Sequence, residues 1–228
     1  MSVFGHGVEV CTSTTRPTPT EGSLIYETDT DTMLMWNGTG WKEILNSKEP
    51  NAMKLIQPTS VSGPGVTHSN GTISFTNSTY VNVNGVFSSK YKNYKLFYNG
   101  FGNTTGVSNV EFYWRSNNTN STTNYYLRMW YYVSSGSFTT ATTGPISQNP
   151  WQYVSNINNY WDMTIFNPAY SGYTGFTNHH DCWGTAQNLA GETHSWQYIN
   201  AVYDGFGLVP IAANMSGTIN IYGISNTV

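Results

Sequence analysis

The stretch Asn178-His179-His180-Asp181-Cys182-Trp183 puts two imidazoles, a carboxylate and a thiol into six residues, in a 228-residue chain with only 5 His and 2 Cys. Two chemistries suit such a set. Structural or catalytic zinc takes three or four His, Cys, Asp or Glu ligands at spacings that a loop, hairpin or helix can close. A thiol nucleophile needs an adjacent base, which His180 offers Cys182, and an oxyanion hole. The spacing speaks against the metal, because adjacent residues of an extended segment point to opposite faces and His179 and His180 then do not share one ion. No CxxC or HxxxH pair accompanies them, although His194 could join one of them and Asp181 if strands bring them together. The expectation is no metal, no cofactor and no catalytic residue, with the stretch forming a polar loop flanked by aromatic rings.

Sugars offer the same residues two other uses. A polysaccharide depolymerase needs two carboxylates facing one cleft, and Asp162, Asp181 and Glu192 are the candidates closest to loops. Recognition without cleavage needs aromatic rings for the C–H face of a pyranose and Asn, Asp or His for its hydroxyls. Residues 150–183 hold Trp151, Tyr153, Tyr160, Trp161, Tyr170, Tyr173, Phe176 and Trp183. Most belong in a core or a subunit contact. The turn-rich run 170–183, with Ser171, Gly172, Gly175 and Asn178 between its rings, makes Tyr170, Tyr173, His179, His180 and Trp183 the candidate glycan contacts.

The elements that must position these residues are strands. Hydrophobic residues make up 38% of the chain, enough for a core, and charged residues only 9%, against roughly 25% in ordinary globular domains. Asn, Thr, Ser, Gly and Tyr take over the surface, as suits exposed sheet faces and turns. Val110, Phe112 and Trp114 alternate with Glu111, Tyr113 and Arg115, the pattern of a half-buried strand. Tyr125, Leu127, Met129, Tyr131 and Val133 alternate with Tyr126, Arg128, Trp130 and Tyr132, so both faces carry large side chains and both are expected to be covered, the second by the other sheet or by a neighbouring subunit. Residues 94–98, 160–166, 196–203 and 218–222 are further strand candidates, and helical periodicity is missing. Near the start, 23–27, 32–36 and 41–44 read as a three-stranded meander, turned by Asn37-Gly38-Thr39-Gly40. These patterns give an all-β chain: a small N-terminal β module over 1–46, a Pro/Gly-rich linker over 47–72, and a jelly-roll-like antiparallel β-sandwich over 73–228.

Charge and cysteine narrow the partners. Net charge is -3, with seven acids against four bases in residues 1–57 and five of each sign beyond. No basic surface is left to neutralise phosphates, so nucleic acid is not expected. Cys11 and Cys182 fall in separate modules and read as two free thiols, consistent with assembly in a reducing cytoplasm. The first residues lack the basic and apolar regions of a secretory signal, and no apolar run reaches the roughly 20 residues of a spanning helix, so membrane insertion is not expected.

Two passages resemble known proteins. Arg16-Pro17, Glu21-Gly22 and Ile25-Tyr26-Glu27-Thr28-Asp29-Thr30-Asp31, followed by Asn37-Gly38 and Trp41, resemble a segment common in tailed-bacteriophage structural proteins. Val86-Phe87, Tyr91, Asn93-Tyr94 and Leu96, then Asn167-Pro168, then Ser216-Gly217-Thr218-Ile219-Asn220-Ile221-Tyr222-Gly223, resemble the layout of C-terminal β-sandwich domains of phage fibres and minor virion proteins. The resemblance implies a homotrimer at the virion surface, assembled in the bacterial cytoplasm. It would be a short fibre or capsid decoration touching other capsid or tail proteins and displaying its sandwich to host-surface polysaccharide. Ile25, Tyr26, Trp36 and Trp41 are then the candidate assembly residues. A secreted carbohydrate-binding module or lectin is the alternative, and a depolymerase a further one.

Overall fold

A computed structural model describes residues 8–46, 53–103, 107–133, 136, 138–146, 151–185 and 188–224. Residues 1–7, 47–52 and 225–228, the outer parts of the expected N-terminal module, linker and sandwich, lie outside them, as do the side chains of Leu45, Asn46, Val133, 138–146 and Trp151. Every regular element described is a strand, and the chain forms two compact units, Met1–Pro50 and Asn51–Val228.

The first unit is one sheet of four strands in the order β1 (Glu9–Cys11), β2 (Leu24–Glu27), β3 (Thr32–Trp36) and β4 (Trp41–Asn46). The meander β2-β3-β4 is antiparallel, while β1, too short to show alternation, adds parallel to β2. Asn37 makes the β3–β4 turn. Its side-chain oxygen accepts from the Thr39 and Gly40 amides at 3.1 and 2.9 Å, and Gly38 takes φ 88°. Ile25 is fully buried in this unit, as is the Glu27 carboxylate, which pairs with Arg16 and accepts from Thr30 at 2.8 Å. The guanidinium holds that carboxyl below its usual range.

In the second unit the chain runs through β5 (Met53–Leu55), β6 (Ser60–Ser62), β7 (Val66–Ser69), β8 (Thr72–Ser78) and β9 (Val81–Asn84). Next come β10 (Asn93–Gly102), β11 (Ser108–Ser116), β12 (Thr119–Asn120), β13 (Tyr125–Val133) and β14 (Phe138–Ile146). The last are β15 (Trp151–Val154), β16 (Asn158–Phe166), β17 (Thr174–Trp183), β18 (Leu189–Gln197), β19 (Gly205–Pro210) and β20 (Met215–Ile224). They form two antiparallel sheets packed as a sandwich. In the larger, β8-β20-β10-β16 are neighbours in that order; in the smaller, β9-β19-β11, with β15 also on β11. That interleaving is the jelly roll. Two hairpins interrupt it in sequence, β13–β14 before β15 and β17–β18 after β16, and together they widen the larger sheet in the order β16-β17-β18-β13-β14.

The core lies between the sheets. Phe112 of β11 sits 4.9 Å from Phe176 of β17 and stacks on Phe206 of β19 at 5.6 Å, with Trp114, Trp161, Tyr94 and Tyr98 fully buried around them. Three of the buried rings have their polar ends satisfied, whereas the Trp114 indole N–H has no partner among the described residues. Trp161 donates to the Tyr153 carbonyl at 2.9 Å, Tyr98 to that of Ser216 at 3.2 Å, and Tyr125 to that of Ser121 at 3.0 Å. Beneath the widened part the filling turns polar: Gln152, Asn178, His180, Thr193, Ser195 and Gln197 are all buried. Short β15 supplies Gln152, to which the Asn178 amide donates.

The described part of the expected linker is packed structure. β5 pairs with β20, β6 with β9 and β7 with β8. Short strands at a sheet margin tolerate the Pro and Gly that hide alternation. At Gly65, with φ 64°, a Cβ would stand 2.6 Å from the Thr76 carbonyl oxygen, so this glycine permits a close approach.

Candidate functional site

The stretch 178–183 is not a loop: it is the second half of β17, a strand flanked by β16 and β18. Alternation then assigns each side chain. Asn178, His180 and Cys182 face the interior, whereas His179, Asp181 and Trp183 lie on the outer face, away from the smaller sheet. His180 is 2% exposed, and among the described residues neither ring nitrogen has a hydrogen-bond partner. Burial, with His179 beside it, lowers its pKa to about 4. It is therefore out of reach of a ligand on the outer face. Burial pushes the Cys182 thiol up, and its Sγ donates to the Tyr153 carbonyl at 3.1 Å, so the nucleophilic thiolate is suppressed.

Outward, the register lines up residues from several strands. Asp162 of β16, His179 of β17, Glu192 of β18 and Trp130 of β13 form one row. Thr164, Thr177, His194 and Arg128 form the next. His179 Nδ1 meets one Glu192 carboxylate oxygen at 2.9 Å, and His194 Nε2 meets the other at 3.4 Å. Lys95 of β10 pairs with Asp162. The His194 ring stacks on Trp130 with centroids 4.5 Å apart, and the Arg128 guanidinium lies 5.9 Å from the Trp130 ring. Among the described residues, no group of three or more His, Cys, Asp or Glu is arranged to hold a metal ion. Asp162 and Glu192 stand two strands apart on this open face, already engaged with Lys95 and with the two histidines.

One end of the same face carries a continuous line of rings. Trp196 stacks on Tyr126 (5.9 Å, interplanar 5°), Tyr126 meets Tyr198 at 4.7 Å, and Tyr198 meets Tyr173 at 4.5 Å. Tyr173 is 63% exposed and Tyr198 51%. Within the single chain the outer side chains of β13 are partly open: Arg128 and Tyr132 are exposed, Tyr126 and Trp130 half-buried.

The five sugar-contact candidates do not converge. Tyr173 joins the line of rings, and Tyr170, at the same end, donates its hydroxyl to the Ser89 carbonyl at 2.6 Å. Trp183 is at the far end of β17, about 30 Å away at the usual strand rise. There it borders a shallow depression of about 200 Å³ with Tyr132 and Asp181. His179 is between the two ends and His180 inside. Sequence reasoning missed Tyr126, Arg128, Trp130, Trp196 and Tyr198 as site residues. The period-two runs 126-128-130 and 194-196-198 carried the signal, but only pairing of β13 with β18 sets them side by side. In the first unit Ile25 is interior, Tyr26 donates to Asp31, and half-buried Trp36 and Trp41 meet edge-on at 5.6 Å.

Neither protein-family models nor curated proteins give a match to this chain.

Proposed function

We propose that the chain is a structural protein of a tailed-bacteriophage particle, a short fibre or decoration displayed as a homotrimer, whose widened sheet adheres to surface polysaccharide. The virion assignment rests on the resemblance at residues 16–41, 86–96 and 216–223. In the fold, the latter two passages supply β20 and the first half of β10, neighbours at the centre of the larger sheet. The inserted hairpins β13–β14 and β17–β18 lie outside those passages, as a variable recognition surface on a common framework would.

The observation that carries the adhesive role is the line Trp196–Tyr126–Tyr198–Tyr173. Four linked rings on a solvent face, with hydroxyls and imidazoles beside them, offer stacking and hydrogen bonding to a sugar chain. Three copies on one particle would multiply a weak single-site affinity. The test is binding of the purified chain to extracted host-surface polysaccharide. Tyr198→Ala and Trp196→Ala should each lower binding several-fold, with the thermal midpoint of the exposed Tyr198 variant nearly unchanged. Full binding by both variants would contradict the adhesive role. A secreted carbohydrate-binding module would use the same face, and differs in being absent from purified particles.

A further inference from the structure

Beside the line of rings, the outer face carries Arg128, a cation with no acidic partner among the described residues. Lys95 is paired with Asp162, and Arg115, from the smaller sheet, is buried against Asn84 and Asn120. Arg128 differs. It is exposed, no carboxylate is in ion-pair contact with it among the described residues, and its charge rests against the face of Trp130. On β13 it stands between Tyr126 and Trp130, and the register places His194 opposite, with Trp196 beside it. An arginine framed by rings presents a planar fork of N–H donors next to apolar faces.

Resting on the sugar-binding reading above, we propose that this cluster takes a carboxylate-bearing sugar, a uronic acid within the polysaccharide. The carboxylate pairs bidentately with the Arg128 guanidinium, and the C–H face of the ring packs on Trp196 and Tyr126. Guanidinium geometry matches a planar carboxylate. A single cation with Glu192 nearby suits a monoanion better than a phosphate dianion, which would meet one positive charge and a carboxylate of its own sign. Both Glu192 oxygens are already met by His179 and His194.

The experiment measures affinity of the full chain for an oligosaccharide of alternating glucuronic acid and N-acetylglucosamine, and for its carboxyl-reduced counterpart. The wild type should bind the acidic form at least tenfold more tightly, as one charge-assisted bidentate pair implies. Arg128→Gln should erase that difference and Arg128→Lys retain part of it, while Tyr198→Ala weakens both ligands alike. An unshifted thermal midpoint for Arg128→Gln shows that the change is local. Equal binding of the two oligosaccharides, or an Arg128→Gln variant that keeps the preference, overturns the assignment while leaving sugar binding intact. Binding of neither, nor of whole surface polysaccharide, overturns the sugar reading with it.

Discussion

At the scale of single residues, burial divides NHHDCW into side chains that can meet a ligand and side chains that cannot. His180 has the clearest solution consequence. Its ring is neutral inside the sandwich with a pKa near 4, against 6.5 for an unperturbed imidazole. Above pH 6.5 both folded and unfolded chains keep it neutral. As the pH falls from 6.5 toward 4 the unfolded chain takes up a proton that the folded one refuses. Stability should therefore drop over that window by up to about 3 kcal/mol. His180→Leu should flatten the drop, read as thermal midpoints at pH 7.5 and 4.5; a variant losing as much as the wild type would contradict the assignment. Separation of the two histidines was legible, because alternation belongs to any extended backbone. Which one turns inward could also have been read, since Phe176 and Cys182 share its parity. The polar composition of 178–181 looked like a loop and hid that parity.

Among the elements, β11 was identified correctly by alternation in polarity, and β13 by a period-two run with large side chains on both faces. Periodicity failed at residues 53–72, where short marginal strands carry Pro and Gly and no such pattern. Gly65 tests the corrected picture. With φ 64° and the Thr76 carbonyl against it, Gly65→Ala should destabilise the sandwich by more than about 1 kcal/mol. A true linker would tolerate the change, so an unaltered urea midpoint would contradict the packing. Pairing of β13 with β18 was beyond the sequence for a different reason. The two belong to separate hairpins, and only the folded sheet decides that these meet along nine register pairs. The aromatic line and the Arg128 cluster exist through that pairing, which is why their members were visible as residues but not as a site.

For the whole molecule, the proposed adhesive role assigns support to the jelly roll and recognition to its two inserted hairpins. β8, β20, β10 and β16, facing β9, β19, β11 and β15, enclose the aromatic core, and the hairpins spread a polar, ring-bearing face beside it. The sandwich was legible from the rhythm of strands and turns; the width of the larger sheet was not, because rhythm carries no strand order. Such an arrangement lets the outer face of the hairpins vary while the core stays fixed. The central claim is that this chain is displayed on a phage particle, and a density map of the intact particle tests it most directly. The expected map shows the sandwich on the exterior in groups of three copies, with the β17–β18–β13 face exposed. Absence of the chain from purified particles, or that face buried against the capsid or tail, would contradict the claim.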